Sequence, residues 1–165
     1  MSGYGTSLLI LLVKMRLFPT KGVAPELQIP LGMNAAHQKL LEHEARVAQR
    51  LMDRGNLDDA VVHLERAHVL GQTHAVWHVF VHFLMLNVAI RRRQHIAAAG
   101  QAVRIILGAI GSIVGRIPTG NTGGSDVNMF ARMPIAPELL RVMEGANLDP
   151  RALARSDEGA NSWNT

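Results

Sequence analysis

Cysteine is absent from this chain of 165 residues. Its absence excludes disulfide bonds, metal sites built on thiolates and cysteine nucleophiles, and it is compatible with a reducing cytoplasm, where we expect the protein to reside. Aromatic residues make up only 4% of the chain. A core must therefore be built from aliphatic side chains, alanine and methionine, which favours helices over strands.

Several functional signatures are lacking as well. The apolar run 7–13 ends at Lys14, far short of the roughly 20 residues that cross a bilayer, so we expect no transmembrane span. The glycine-rich stretch 120–124 follows a predicted helix and lacks the lysine of a phosphate-binding loop. The net charge of +4 comes mostly from arginines without interleaved aromatics, and we expect no nucleic-acid partner.

Apolar residues at helical spacing predict an all-α fold, a small bundle of about four main helices with a short fifth one. Asn34 and Asn56 are the predicted N-caps of the first two helices. The helices are expected at about 34–54, 57–70, 74–92, 94–114 and 137–145.

The boundaries of these helices predict the domain organisation. We expect a helical domain over residues 34–144, an N-terminal extension over 1–33 and a flexible C-terminal tail over 145–165. The third helix is apolar nearly all round, which is typical of a central helix.

The first two predicted helices resemble one unit of a repeat protein. Gly55, Ala60, Leu64 and Ala67 follow the pattern of a turn glycine and then small, large and small residues found in the second half of a tetratricopeptide repeat. Only one such unit is visible, whereas solenoids need about three repeats to bury a continuous core. We therefore predict a single tetratricopeptide-like hairpin rather than an array.

Histidine is concentrated in one part of the chain, with five histidines between residues 63 and 82. Glu65 and His68 form a Glu-x-x-His motif, which places a carboxylate and an imidazole on one helix face. His78 and His82 follow on the apolar third helix, and Glu44 lies on the apolar stripe of the first. Such groups need partners, because burying an unpaired charge is unfavourable.

This set is half of the pattern that carboxylate-bridged di-metal bundles use. A mononuclear site with nitrogen and oxygen ligands is the better match, and iron, zinc or manganese is the expected metal. The predicted ligands are Glu44, Glu65, His68, His78 and His82.

Two hypotheses about function remain open. In the first, the protein is a metal-binding helical protein, an oxidoreductase or a metal handler, and the five predicted ligands converge. In the second, it is a non-enzymatic interaction or assembly subunit that docks a protein partner or a second copy of itself. The histidines then only stabilise the core, the five residues scatter, and an apolar groove is exposed.

The stretch 63–72 (HLERAHVLGQ), with His78, His82 and the segments 91–93 and 120–124, is similar to a bacterial family known as domain of unknown function 3703. The resemblance covers about residues 37–140. It implies a common helical fold and no particular activity.

Overall fold

The computed structural model describes residues 33–114 and 120–147 of the chain. Within these two ranges the chain forms five helices and no strand, so the predicted all-α class and small helical bundle are confirmed. The helices are α1 (Ala35–Arg54), α2 (Leu57–Gly71), α3 (Ala75–Arg91), α4 (His95–Val114) and α5 (Pro137–Met143).

Helix α1 begins and ends at the residues that the sequence indicates. The side chain of Asn34 accepts a hydrogen bond from the backbone N–H of His37 at 2.8 Å, and Gly55 adopts φ +85° after the last turn. A left-handed glycine is typical of helix ends. Asn56 occupies the N-cap position of α2, as predicted, but its backbone (φ −79°, ψ 70°) departs from the extended backbone of Asn34 and its side chain makes no capping hydrogen bond.

The core lies where α1, α2 and α3 meet. Helices α1 and α2 pack closely as a hairpin, α3 packs against α2, and α4 packs along α3. Trp77 of α3 is fully buried, and a Cβ added to Gly71 would lie 3.1 Å from its Cβ. This close approach of α2 and α3 brings the polar side chains of both helices into one layer.

The remaining predictions about domain organisation concern the repeat-like hairpin, the two ends of the chain and membrane spans. The likeness of the α1–α2 hairpin to a tetratricopeptide unit stays a prediction. Residues 1–32 and 148–165, which make up most of the predicted extension and tail, lie outside the described residues. None of the helices in the described ranges combines the length and apolarity that a bilayer crossing requires.

Candidate metal centre

Three histidines meet between α2 and α3, and we refer to them as the histidine cluster. His68 lies on α2, while His78 and His82 lie on α3, where a spacing of four residues places them on one helix face. Their exposed fractions are only 3%, 6% and 2%. Ring nitrogens buried this deeply require hydrogen-bond partners or a metal ion.

The Nε2 atoms of the histidine cluster face one another. The Nε2 atom of His82 is 3.1 Å from that of His68 and 3.1 Å from that of His78. One nitrogen from each residue can be chosen so that all three lie within 4.8 Å of one another. Two nitrogens bound to one zinc ion at about 2.0–2.1 Å lie roughly 3.4 Å apart in tetrahedral geometry. The cluster therefore has nearly the spacing of a ligand set.

The outer nitrogen of His68 reveals its tautomer. His68 Nδ1 lies 2.8 Å from the backbone carbonyl oxygen of Asn121. Because a carbonyl oxygen only accepts hydrogen bonds, Nδ1 carries the proton and donates it. The Nε2 atom of neutral His68 therefore presents a lone pair to the centre of the cluster.

Gln101 of α4 sets the tautomer of His82, because the orientation of its own side-chain amide is fixed by a second hydrogen bond. The Gln101 amide nitrogen donates to the carbonyl oxygen of Gly123 at 2.9 Å, which directs Oε1 toward His82 Nδ1, 2.8 Å away. Since Oε1 only accepts, His82 donates from Nδ1 and its Nε2 also presents a lone pair.

The two lone pairs of His68 and His82 thus face each other with no proton between them. A cation at this point relieves their repulsion, and a metal ion can also take the third nitrogen, from His78. Acceptors on the outer nitrogens, as Asn121 and Gln101 provide, are the usual partners of histidines that bind metals. The residues therefore fit a metal ion better than a closed hydrogen-bond network.

The cluster is held in its neutral form. Burial lowers the pKa of His78 to about 4. Burial and then the charge of His78 lower the pKa of His82 to about 3. Burial, followed by the charges of His82 and His78, also holds the pKa of His68 well below its ordinary value. At neutral pH the three imidazoles are therefore unprotonated, as metal binding requires.

A loop from the C-terminal part of the chain covers the cluster. Gly123 has φ +75°, and a Cβ placed on it would lie 2.8–2.9 Å from three atoms of the His68 ring. Only glycine permits this approach of backbone to imidazole. Side chains from α4 and from the end of α2 hydrogen-bond to the backbone of this loop: Gln72, Gln101 and Arg104.

Replacing Gly123 by alanine is expected to destabilise the fold by about 2 kcal/mol and to weaken metal binding. The left-handed backbone strains any L side chain, and the new methyl group displaces either the loop or the His68 ring. Urea denaturation and a zinc titration measure the two effects.

Gly55→Ala provides the matched control, since Gly55 has φ +85° but no atom within 4 Å of an added Cβ. Gly55→Ala therefore has the same kind of backbone strain as Gly123→Ala, but its new methyl group meets no side chain. Equal losses of stability and unchanged zinc affinity in both variants would show that the approach of Gly123 to His68 has no energetic consequence.

Glu44 lies in a separate polar cluster between α1 and α2. Its Oε2 is 2.7 Å from His63 Nδ1, and its Oε1 accepts a hydrogen bond from Arg66 Nε at 2.8 Å. Arg66 also donates to Glu138 of α5 at 3.1 Å. Burial raises the pKa of Glu44, but the hydrogen bond from His63 and the charge of Arg66 outweigh it and leave the pKa lowered.

Helix geometry explains this separation. Each residue advances about 100° around a helix. His63 and His68 are five positions apart, so their side chains point roughly 140° apart around α2. The side chain of His63 therefore faces Glu44 on α1, whereas that of His68 faces α3. The structure does not bring the Glu44 carboxylate into the histidine cluster.

Glu44→Gln is expected to lower the free energy of unfolding by about 2 kcal/mol, because the substitution removes a buried charge and leaves Arg66 without its buried partner. Zinc affinity is expected to stay unchanged. Urea denaturation and zinc titration check both statements, with the half-buried Glu42→Gln on the same helix as control. A large loss of zinc affinity in Glu44→Gln alone would place that carboxylate among the ligands.

Glu65 borders the loop that covers the cluster. Its Oε1 lies 2.5 Å from the position that a Cβ on Gly124 would take, and Asp126 Oδ1 lies 3.0 Å from the same point. Burial and then the charge of Asp126 raise the pKa of Glu65. Within the described ranges, the group of potential ligands consists of the three histidines.

Two residues of the site escape sequence reasoning. Gln101 is 2% exposed on a largely apolar helix, and a buried amide there is the signal that a polar partner lies opposite. Asn121 contributes its backbone carbonyl, which no side-chain pattern indicates.

Comparison with protein families finds a match over residues 35–143, and the matching family is described as "Protein of unknown function (DUF3703)". No curated protein and no solved structure matches the chain.

Proposed function

Since the chain belongs to the DUF3703 family, whose description assigns no activity, we propose a function from the site itself: the protein binds one divalent metal ion, zinc, through the Nε2 atoms of His68, His78 and His82. The observation that carries this proposal is the pair of tautomers fixed by Asn121 and Gln101. They direct unprotonated nitrogens at a common point.

The chemistry of the donors is compatible with zinc and disfavours manganese. Neutral imidazole suits zinc, copper, nickel and iron, whereas manganese prefers carboxylate and water oxygens. Manganese, which a ligand set containing Glu44 and Glu65 would favour, is therefore a poor match to three nitrogens alone. Zinc sites with three protein ligands keep a fourth position for water or another ligand. Zinc has no redox chemistry of its own, so the site supports metal binding and provides no argument for electron transfer at the metal.

The environment of the cluster supports a retained ion. Water has little access to the histidines, and their neutral state at pH 7 means that binding releases no protons. Competition between zinc and protons is therefore weak down to about pH 5, given pKa values of about 4 for His78 and about 3 for His82. A site of this kind binds zinc over a wide pH range.

The test is a titration of the metal-free, full-length protein with zinc, followed by elemental analysis after gel filtration. We expect one zinc ion per chain. Titration with Co²⁺ should give intense visible absorption bands, which report a four-coordinate site with nitrogen ligands. A substoichiometric zinc content after supplementation, together with weak octahedral cobalt bands, would overturn the proposal.

A further inference from the structure

The outer face of α4 has an unusual composition for a solvent-facing helix surface. Its exposed positions recur every three or four residues, and all of them between 96 and 107 are apolar. Ile96 is 92% exposed and Ile106 is 61% exposed. We call this surface the α4 strip; it consists of Ile96, Ala99, Ala102, Val103, Ile106 and Leu107.

The polarity of α4 is inverted with respect to α1. The exposed positions of α1 include Lys39, Arg46 and Asp53, as expected for a helix facing water. On α4 the polar side chains Gln101 and Arg104 point inward and hydrogen-bond to the loop 120–124. The face left outside is therefore the apolar one, and contiguous exposed apolar surface marks interaction sites.

We propose that the α4 strip is a homodimer interface, in which α4 of one copy packs across α4 of a second copy. An interface around a two-fold axis joins a patch to itself, so the patch must be complementary to itself. A strip made only of aliphatic side chains and alanine meets this condition, since it carries no charge to repel its copy. Ala99 and Ala102 allow the two helices to approach closely.

The charges at the end of the strip select the antiparallel orientation. Arg91 is the last residue of α3, and Arg92 and Arg93 follow it before α4; Arg92 also donates a hydrogen bond to Asp58 of α2. In a parallel pair the two sets of arginines would lie side by side and repel each other. In an antiparallel pair each set lies at the C-terminal end of the other copy's α4, where positive charge is favourable.

The size of the strip sets the expected strength of the dimer. Twelve helical residues span about 18 Å, so a single row of six side chains forms a small patch that falls below the roughly 1,200–2,000 Å² buried in stable specific interfaces and in the range of weak ones. We therefore expect a dimer in equilibrium with monomer, with a dissociation constant in roughly the micromolar range. The occupant is a second copy of this chain and does not depend on the proposed metal.

The experiment is sedimentation velocity of the full-length chain at about 1–100 µM, with and without zinc, for the wild type, Ile106→Glu and Val62→Glu. Val62 lies on α2 and is 56% exposed, which matches the 61% of Ile106. We expect the wild type and Val62→Glu to dimerise with rising concentration. Ile106→Glu should weaken dimerisation at least about 100-fold, because it buries one carboxylate from each copy in an apolar contact.

A second variant tests the strip at a position where the substitution does not unfold the protein. Ile96→Glu changes a side chain that is 92% exposed, so it cannot disturb the core, and it should weaken the dimer as well. A wild-type chain that stays monomeric throughout would overturn the proposal. If that monomer binds phosphatidylglycerol vesicles, the strip is assigned to a lipid surface. If residues 8–13 are protected from hydrogen exchange in the wild type but not in Ile106→Glu, the strip is assigned to that segment. Zinc binding by a monomer would leave the metal proposal intact.

Discussion

His82→Ala is expected to lower the affinity for zinc by at least about 100-fold. Structural zinc sites with four ligands contribute roughly 10–16 kcal/mol, or about 3 kcal/mol per ligand, and 1.4 kcal/mol corresponds to a factor of ten. His82 is the central member of the cluster, with its Nε2 atom 3.1 Å from both neighbours. Competition with a chromophoric chelator measures the affinity, and elemental analysis gives the stoichiometry.

The matched control is His74→Ala. His74 is half-buried at the start of α3 and faces His37 rather than the cluster, with ring centroids 6.2 Å apart. It should retain wild-type affinity. His78→Ala is a second test, because the Nδ1 atom of His78 has no hydrogen-bond partner among the described residues and its loss disturbs little else. Wild-type affinity in both cluster variants would exclude the histidines as ligands.

Between pH 7 and pH 5 the metal-free protein is expected to lose about 4 kcal/mol of stability through His78 and His82 together. The folded state holds their pKa values at about 4 and about 3, below the ordinary 6.5 of the unfolded chain. Below pH 6.5 the unfolded state therefore binds protons that the folded state does not. Stability is highest above pH 6.5, falls as the pH is lowered, and levels off once the pH reaches the folded-state pKa values.

Urea denaturation of the metal-free protein across this pH range measures the slope. Replacing His82 by glutamine should remove about half of the loss that these two histidines cause. Bound zinc should restore most of the stability at pH 5, because it binds only the folded state. A stability that is constant between pH 7 and pH 5 would contradict the burial of neutral histidines.

Sequence periodicity predicts the helices well because each has its own local signal. Asn34 and Gly55 delimit α1 through capping and left-handed geometry, which depend on neighbours within a few residues. Asn56 shows the limit of such reasoning. It occupies the N-cap position of α2 as its residue type predicts, but its backbone is not extended like that of Asn34 and its side chain makes no capping hydrogen bond.

The site was predictable where it depends on position along one helix. The four-residue spacing of His78 and His82 places them together whatever else the fold does, and the apolar character of α3 predicts their burial. A basic partner for the buried Glu44 is expected from its burial alone, but which residues pair with it was not predictable, because that depends on which side of α2 faces α1. The acceptor for His68 comes from a residue 53 positions away, beyond the reach of any local pattern.

Because the loop residue Asn121 lies 53 positions after His68, we expect the site to assemble in two stages. His68 and His82 are only 14 residues apart and lie on consecutive helices, so the α2–α3 pair can bring them together early in folding. Gln101 and the loop 120–124 arrive from later parts of the chain, and contacts of high sequence separation form slowly. During synthesis we therefore expect weak zinc binding to a nascent chain that ends near residue 95, and full affinity only after the loop has emerged from the ribosome and closed over the histidines.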